Sequence, residues 1–254
     1  MRRILIGLTL VAITFAQPVD EFIIRGKETI RTAIANWNEG EMIAARAYFE
    51  RGLNFGEKEW LFRYYIAYAD DQLVHYYQAK SDKKSALKYL NNGIDHLNEV
   101  IKLNKDFADG YGLLSSLYGE KMGIQPWTGI MYGSRSSTLI RKAIQLEPEN
   151  PRLYMIQGTS SMFTPEKWGG SKERAKELYL KAAELFKSDN PSPLMPDWGK
   201  SDIYAWLGQL EEKFGNYDQA KAYYEQALVV DPENNWVKHQ LMTRLTVKSA
   251  RENR

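Results

Sequence analysis

The stretch SDIYAWLGQLEEKFGNYDQAKAYYEQALVVDPEN, residues 201–234, decides the fold. Its apolar and small residues recur every three or four positions, which is the spacing of one face of an α-helix. Gly215 interrupts the pattern in the middle, and Pro232 ends it because proline cannot continue a helix. The stretch therefore predicts two helices joined by a tight turn.

Several residues of this stretch have the size that two closely packed helices require. Gly208 and Ala227 let the helix backbones approach, and Tyr224 fills the groove between them. The stretch resembles a tetratricopeptide repeat, whose pattern is carried here by Tyr204, Leu207, Gly208, Ala220, Tyr224, Ala227 and Pro232. Glu211 departs from the pattern, since the family usually carries an aromatic residue at that position.

The rest of the chain repeats this pattern less regularly. The approximate copies cover residues 20–54, 58–105, 108–148 and 151–187, and residues 235–250 have the two-sided pattern of a capping helix. The resemblance implies an all-α fold, a right-handed α-solenoid of about five antiparallel helix pairs with a C-terminal capping helix. Residues 17–254 are predicted to form this single solenoid domain.

The first 16 residues have the pattern of a secretory signal peptide. Arg2 and Arg3 precede an apolar run, residues 4–15, and Ala16 offers a small residue at a cleavage point before Gln17. The run is shorter than the about 20 residues that a spanning helix needs. We therefore predict cleavage and no membrane span afterwards, with an uncleaved anchor as the alternative.

Composition excludes several classes of protein. The chain has no cysteine, so it has no disulfide, no thiolate metal site and no lipid-modified cysteine. Removing Arg2 and Arg3 from the 34 Lys and Arg residues leaves 32, against 32 Asp and Glu. A neutral chain without a basic stripe argues against nucleic acid as a partner.

Catalytic motifs are missing from the sequence. The three histidines, His75, His96 and His239, lie far apart, and His96 with Glu99 offers only two metal ligands one helical turn apart. The Gly/Ser-rich strings 129–137 and 169–172 form neither a nucleophile elbow nor a phosphate loop. We therefore expect no enzyme activity, no cofactor and no metal.

Insertions that a minimal repeat does not need supply one candidate binding surface. Two of them, within the repeats at 108–148 and 151–187, carry Trp127, Tyr132 and Trp168, and insertions of this kind project from one edge of an array. The loop 191–198 joins two repeats and is predicted at the opposite edge. The alternative is that Trp127, Trp168 and Trp198 fold back over helix ends.

A groove lined by the first helices of the repeats supplies a second candidate surface. The resemblance places an aromatic and methionine-rich set of side chains there, which suits extended peptides or amphipathic helices. The predicted partner-binding residues of the groove are Tyr64, Tyr68, Met155 and Met162, in a row that also includes Leu61, Tyr65 and Arg152. The alternative is that several of them belong to the core between repeats.

Three functions remain open at this point. The resemblance implies a noncatalytic scaffold that binds a protein or peptide, and the signal segment places it in the periplasm or outside the cell of a bacterium. The second hypothesis is a small-molecule or lipid-binding component of an envelope transport system, which an enclosed apolar pocket would favour. The third is an enzyme whose carboxylates come from distant repeats, which two acids converging in a cleft would favour.

Overall fold

A computed structural model describes residues 18–252 of the chain, with side chains described for 18–249. The predicted signal peptide, residues 1–16, lies outside this part. Residues 18–252 contain helices and no strand. None of these helices combines the length and the apolar character that crossing a membrane requires.

Ten helices form five consecutive pairs, and an eleventh follows them. The pairs are α1 (Pro18–Ala35) with α2 (Glu39–Gly52), α3 (Glu59–Ala79) with α4 (Lys83–Leu103), α5 (Ala108–Ile124) with α6 (Gly129–Leu146), α7 (Pro151–Phe163) with α8 (Lys172–Leu185), and α9 (Asp202–Phe214) with α10 (Tyr217–Val230). A π-helical segment, Trp236–Leu241, leads into the last helix, α11 (Met242–Glu252). Short 3₁₀ turns extend the connections after α2, α5 and α7.

Each helix packs against the next one along the chain, and the first helices of successive pairs also touch each other. The buried apolar side chains form four clusters that pass from one pair to the next. The all-α solenoid of five helix pairs with a terminal helix is therefore confirmed.

Side chains at the helix starts explain several of the boundaries. Asn38, Asp82, Asn150 and Ser171 each precede a helix and accept a hydrogen bond from a backbone N–H of its first turn. Such caps satisfy donors that have no partner inside the helix. Pro151 follows Asn150 at the first helical position, where its missing N–H costs nothing.

Paired helices approach each other closely at glycine residues, which have no side chain. A Cβ atom added at Gly208 of α9 would overlap the ring of Tyr224 of α10, and one added at Gly158 of α7 would lie 2.6 Å from the ring of Tyr179 of α8. Both tyrosines are fully buried. The fourth and fifth pairs therefore use the same contact of glycine with tyrosine.

Glu211, which departs from the family pattern, is buried beside a lysine. Its carboxylate lies 2.6 Å from Nζ of Lys176 on α8 and accepts a hydrogen bond from Nδ2 of Asn216. An ion pair therefore stands where the family usually has an aromatic contact.

The neighbouring residue, Glu212, holds the terminal helix on the fifth pair. Its buried carboxylate accepts hydrogen bonds from Arg244 at 2.9 Å, from Lys248 at 2.7 Å and from the hydroxyl of Tyr224. Burial alone would raise the pKa of Glu212, but these three donors lower it below its usual value. Glu212 thus joins α9, α10 and α11 through one charge.

We expect Gly208→Ala to destabilise the protein, because the added methyl group meets the ring of Tyr224. Overpacking of this kind costs about 1–3 kcal/mol, which lowers the melting temperature of a chain of this size by roughly 3–10 °C. Thermal denaturation followed by circular dichroism measures it. The matched control is Gly119→Ala in α5, where the methyl group meets open space and the melting temperature should stay the same or rise. Equal loss in both variants would contradict the predicted contact.

We expect Glu212→Gln to lower the free energy of unfolding by about 1–3 kcal/mol at neutral pH, the range for a hydrogen bond to a charged group. The pKa of Glu212 is lower in the folded protein than in the unfolded chain. The extra stability of the wild type is therefore present above the ordinary glutamate pKa of about 4.3 and is lost as the pH falls through the pKa of Glu212 in the folded protein. Urea denaturation at several pH values measures both effects. The control, Glu184→Gln, removes an exposed pair with Lys187 and should change little.

Candidate partner-binding surfaces

The loop between α8 and α9 crosses the face formed by the first helices of the N-terminal pairs. Three successive carbonyl groups of this loop accept hydrogen bonds from that face. Nζ of Lys27 on α1 donates to the carbonyls of Pro193 at 2.8 Å and Met195 at 2.6 Å, and the hydroxyl of Tyr65 on α3 donates to that of Leu194 at 2.7 Å. The prediction that this loop projects from an edge is wrong.

The end of the loop is held by charge and by ring stacking. The carboxylate of Asp197 lies 3.2 Å from Nζ of Lys27 and 3.0 Å from the guanidinium of Arg31. The indole of Trp198 stacks on Tyr68 with ring centroids 5.4 Å apart, and its Nε1 donates to the hydroxyl of Tyr64 at 2.9 Å. Burial lowers the pKa of Lys27, and Asp197 partly offsets that effect.

This loop changes the placement of the predicted groove residues. Tyr64, Met155 and Met162 are buried, and Tyr68 is half-buried against Trp198. Leu61, Tyr65 and Arg152, also expected to face outward, are buried as well. The expectation of an open groove at these positions is wrong. Residues 194–198 of the chain itself cover Tyr64, Tyr65 and Tyr68, and Arg152 is buried in ion pairs with Asp109 and Asp189. Met162 instead packs in the core against Tyr179.

The tryptophans of the two insertions stand in solvent. Trp127 is 72% exposed and Trp168 is 74% exposed, so neither folds back over a helix end, whereas Trp198 does fold inward. Tyr132 is half-buried, with its ring 4.7 Å from that of Tyr118. The structure therefore places Trp127 and Trp168 where a partner can reach them and uses Tyr132 mainly for packing.

A row of aromatic rings that the sequence did not reveal runs across the C-terminal pairs. Phe163 ends α7, Trp206 lies in α9 and Trp236 begins the terminal segment; their ring centroids are 6.0 Å apart for Phe163 and Trp206 and 5.6 Å apart for Trp206 and Trp236. Phe163 is 57% exposed, and the two tryptophans are half-buried. We call these three residues the aromatic row.

A lysine adds charge to one end of the aromatic row. Nζ of Lys213, at the end of α9, lies 5.4 Å from the ring centroid of Phe163, within the range of a cation–π interaction.

The sequence indicates the aromatic row only weakly, because its three rings occupy the end, the middle and the beginning of three different helical segments. Only their side-by-side packing brings them together.

A polar cluster around His75 lies between α3 and α9. Nε2 of His75 is 3.6 Å from the carboxylate of Asp71. Burial alone would lower the pKa of His75, but Asp71, Glu120 and Asp202 raise it to about 10. Burial raises the pKa of Asp202 to about 6. His75 therefore pairs with Asp71 of its own helix, while the charges of Glu120 on α5 and Asp202 on α9 act on it from a greater distance.

An open depression of about 690 Å³ is lined by His96 and Glu99, the two possible metal ligands one helical turn apart. Burial, and after it the charges of Arg46 and Arg63, lower the pKa of His96. The bases of the depression already have carboxylate partners: Arg46 pairs with Asp70, Arg63 with Glu59 and Lys102 with Glu99. Within the described residues, no group of three or more His, Asp or Glu side chains is placed to hold a metal ion.

Comparison with known proteins agrees with this architecture. The tetratricopeptide repeat family model matches residues 201–234. The HusA haemophore from Porphyromonas gingivalis aligns with a TM-score of 0.66 and 22% identity, over 78% of this chain and 96% of that one. A thermophilic tetratricopeptide repeat protein from Thermus thermophilus aligns with a TM-score of 0.59 and 18% identity, over 87% and 97% of the two chains.

A search of curated proteins found no significant match. At these identities the structural likenesses establish the fold alone. The repeat that the family model matches is the stretch whose glycine and tyrosine contact is described above, and four further helix pairs precede it. Residues 201–234 therefore match the tetratricopeptide repeat, and the five helix pairs share the fold of tetratricopeptide repeat proteins.

Proposed function

We propose that this protein is an exported, noncatalytic scaffold that binds a protein partner through the aromatic row of its C-terminal pairs. The observation that carries the proposal is the contact of Phe163, Trp206 and Trp236, which come from three successive units and leave ring surface in solvent. Large aromatic side chains supply much of the binding free energy in protein interfaces. Tetratricopeptide arrays generally serve as interaction surfaces, which supports a scaffold over an enzyme.

The position of the loop 193–198 supports the C-terminal half as the binding site. An extended peptide on the N-terminal first helices would compete with carbonyl groups and an indole that already satisfy Lys27, Tyr65 and Tyr64. Phe163 faces no such competitor, since it is more than half exposed. Trp168, five residues further in the same connection, adds a second exposed ring. The partner that we propose therefore presents apolar side chains to these rings.

The alternative is a protein that binds a small molecule or a lipid within an envelope transport system. HusA, which shares the fold, is a haemophore, but at 22% identity only the fold carries over. The site that this alternative requires, where the tryptophan insertions meet an open groove, is not supported because residues 193–198 fill the first-helix face. Haem and other small molecules therefore enter the experiment below as competing outcomes.

The proposed location, the periplasm or the cell exterior, rests on the basic and apolar pattern of residues 1–16.

We expect the protein isolated from the envelope of its source cell to begin at Gln17, because the apolar run is short and the small residue Ala16 follows it. Intact-mass analysis of the soluble and membrane fractions measures this. A chain that retains Met1 and sediments with membranes would show an uncleaved anchor instead.

We expect Phe163→Ala to weaken partner binding at least about tenfold, which corresponds to about 1.4 kcal/mol. The measurement is capture from envelope extract on immobilised chain 17–254, with mass spectrometry of retained proteins and small molecules and a haem titration in parallel. The control is Val229→Ala, which truncates a residue that is 81% exposed on α10, the second helix of its pair. Circular dichroism should be the same for all three proteins.

The comparison between the two variants decides the proposal. A protein retained by the wild type and by Val229→Ala but lost from Phe163→Ala supports it. Equal retention by both variants contradicts the aromatic row as the site. A retained small molecule without a protein supports the transport alternative.

A further inference from the structure

The connection between α5 and α6 ends in an apolar tip that no part of the described chain covers. Ile130 is 97% exposed and Met131 is 55% exposed, and both lie near Trp127 in the chain. Trp127 precedes them by three and four positions in a 3₁₀ turn that runs into α6, so the three side chains share one face. We call Trp127, Ile130 and Met131 the apolar tip.

The backbone behind the apolar tip is well anchored. The hydroxyl of Thr128 donates to the carbonyl of Gln125 at 2.7 Å and closes the 3₁₀ turn. Ile124, just before this turn, and Tyr132, just after the tip, pack against the large N-terminal core cluster. The fold therefore holds these apolar side chains outward on a rigid support, although burying them would stabilise the protein.

The segment around the apolar tip is positively charged. Residues 121–146 contain four bases, Lys121, Arg135, Arg141 and Lys142, and no carboxylate, in a chain whose residues 17–254 have equal numbers of both signs. Lys121 lies over the ring of Tyr132, and Arg135 is one helical turn beyond Met131, so both lie just behind the tip. The nearest acid in the chain, Glu120, accepts a hydrogen bond from Gln78 of α3.

We propose that the apolar tip inserts into the interface of a bilayer that contains anionic phospholipids. Tryptophan, isoleucine and methionine side chains at the end of a helical hairpin match the boundary between headgroups and acyl chains, where tryptophan is enriched. Lys121 and Arg135 then lie at the level of the headgroups, where each base near an anionic surface favours binding.

A lipid surface fits this tip better than a protein partner does. A protein hot spot is usually a central side chain surrounded by a flat rim that excludes water. Here the apolar side chains project from the end of a hairpin, with cations behind them. This surface is separate from the aromatic row, so the two proposals fail or succeed independently.

The test is flotation of chain 17–254 with vesicles, so that the apolar run of residues 4–15 does not contribute. The probes are vesicles of phosphatidylcholine alone and with about a third phosphatidylglycerol, each at low and at high salt. The variant is Ile130→Asp, which places a carboxylate on the tip at the start of a helix, where acidic residues are tolerated. The matched control is Val229→Asp, an equally drastic change at another exposed apolar residue.

We expect the wild type and Val229→Asp to bind the anionic vesicles, and Ile130→Asp to bind them at least tenfold more weakly. Binding of the wild type should fall several-fold at high salt and on phosphatidylcholine alone, because the cations then contribute less. Circular dichroism checks that both variants fold. The proposal is overturned if the wild type does not float with anionic vesicles, or if Ile130→Asp floats as well as Val229→Asp. Loss of binding in both variants would also overturn it, since the tip would not be specific.

Discussion

The buried ammonium group of Lys27 holds the loop between α8 and α9 against the N-terminal helices. It has three donors, and the carbonyls of Pro193 and Met195 and the carboxylate of Asp197 receive them. The loop that it holds contains three prolines within residues 191–196, and a proline has no backbone N–H group. A loop with few donors and many carbonyls can be packed inside a protein only against side chains that donate. Lys27, with Tyr65 beside it, supplies those donors.

This contact determines which surfaces remain for partners. Because the loop covers the first helices of the N-terminal pairs, Leu194 and Met195 join the core there, and Trp198 lies over Tyr68. The C-terminal pairs have no such cover over Phe163, and the insertion tips lie outside the core. Among the described residues, the first-helix face of the N-terminal pairs is therefore covered by the chain itself, whereas the aromatic row and the apolar tip are exposed. The two proposals use these two exposed surfaces.

The parts that could be predicted from the sequence depend on local spacing. Helix pairs follow from residues three to four positions apart and from prolines and caps, which is why residues 201–234 indicated the architecture. The loop contacts could not be found in this way, because Lys27 and Pro193 are 166 positions apart and nothing in either neighbourhood specifies the other. The same holds for the aromatic row. The sequence also left open whether Trp127 and Trp168 stand in solvent or fold back over helix ends, because their place in an insertion does not specify what they contact.

The terminal segment shows how a departure from regular helix can build a surface. Residues 236–241 form a π-helical turn, whose hydrogen bonds span one residue more than those of an α-helix and which often occurs at functional positions. Val237 and Leu241 of this turn are buried against Ala227 and Tyr224, and Leu245 continues the same buried face in α11. Because Val237 points into the core, Trp236 before it is left at the side, where its ring meets Trp206. The same segment thus closes the core of the fifth pair and supplies the last ring of the aromatic row.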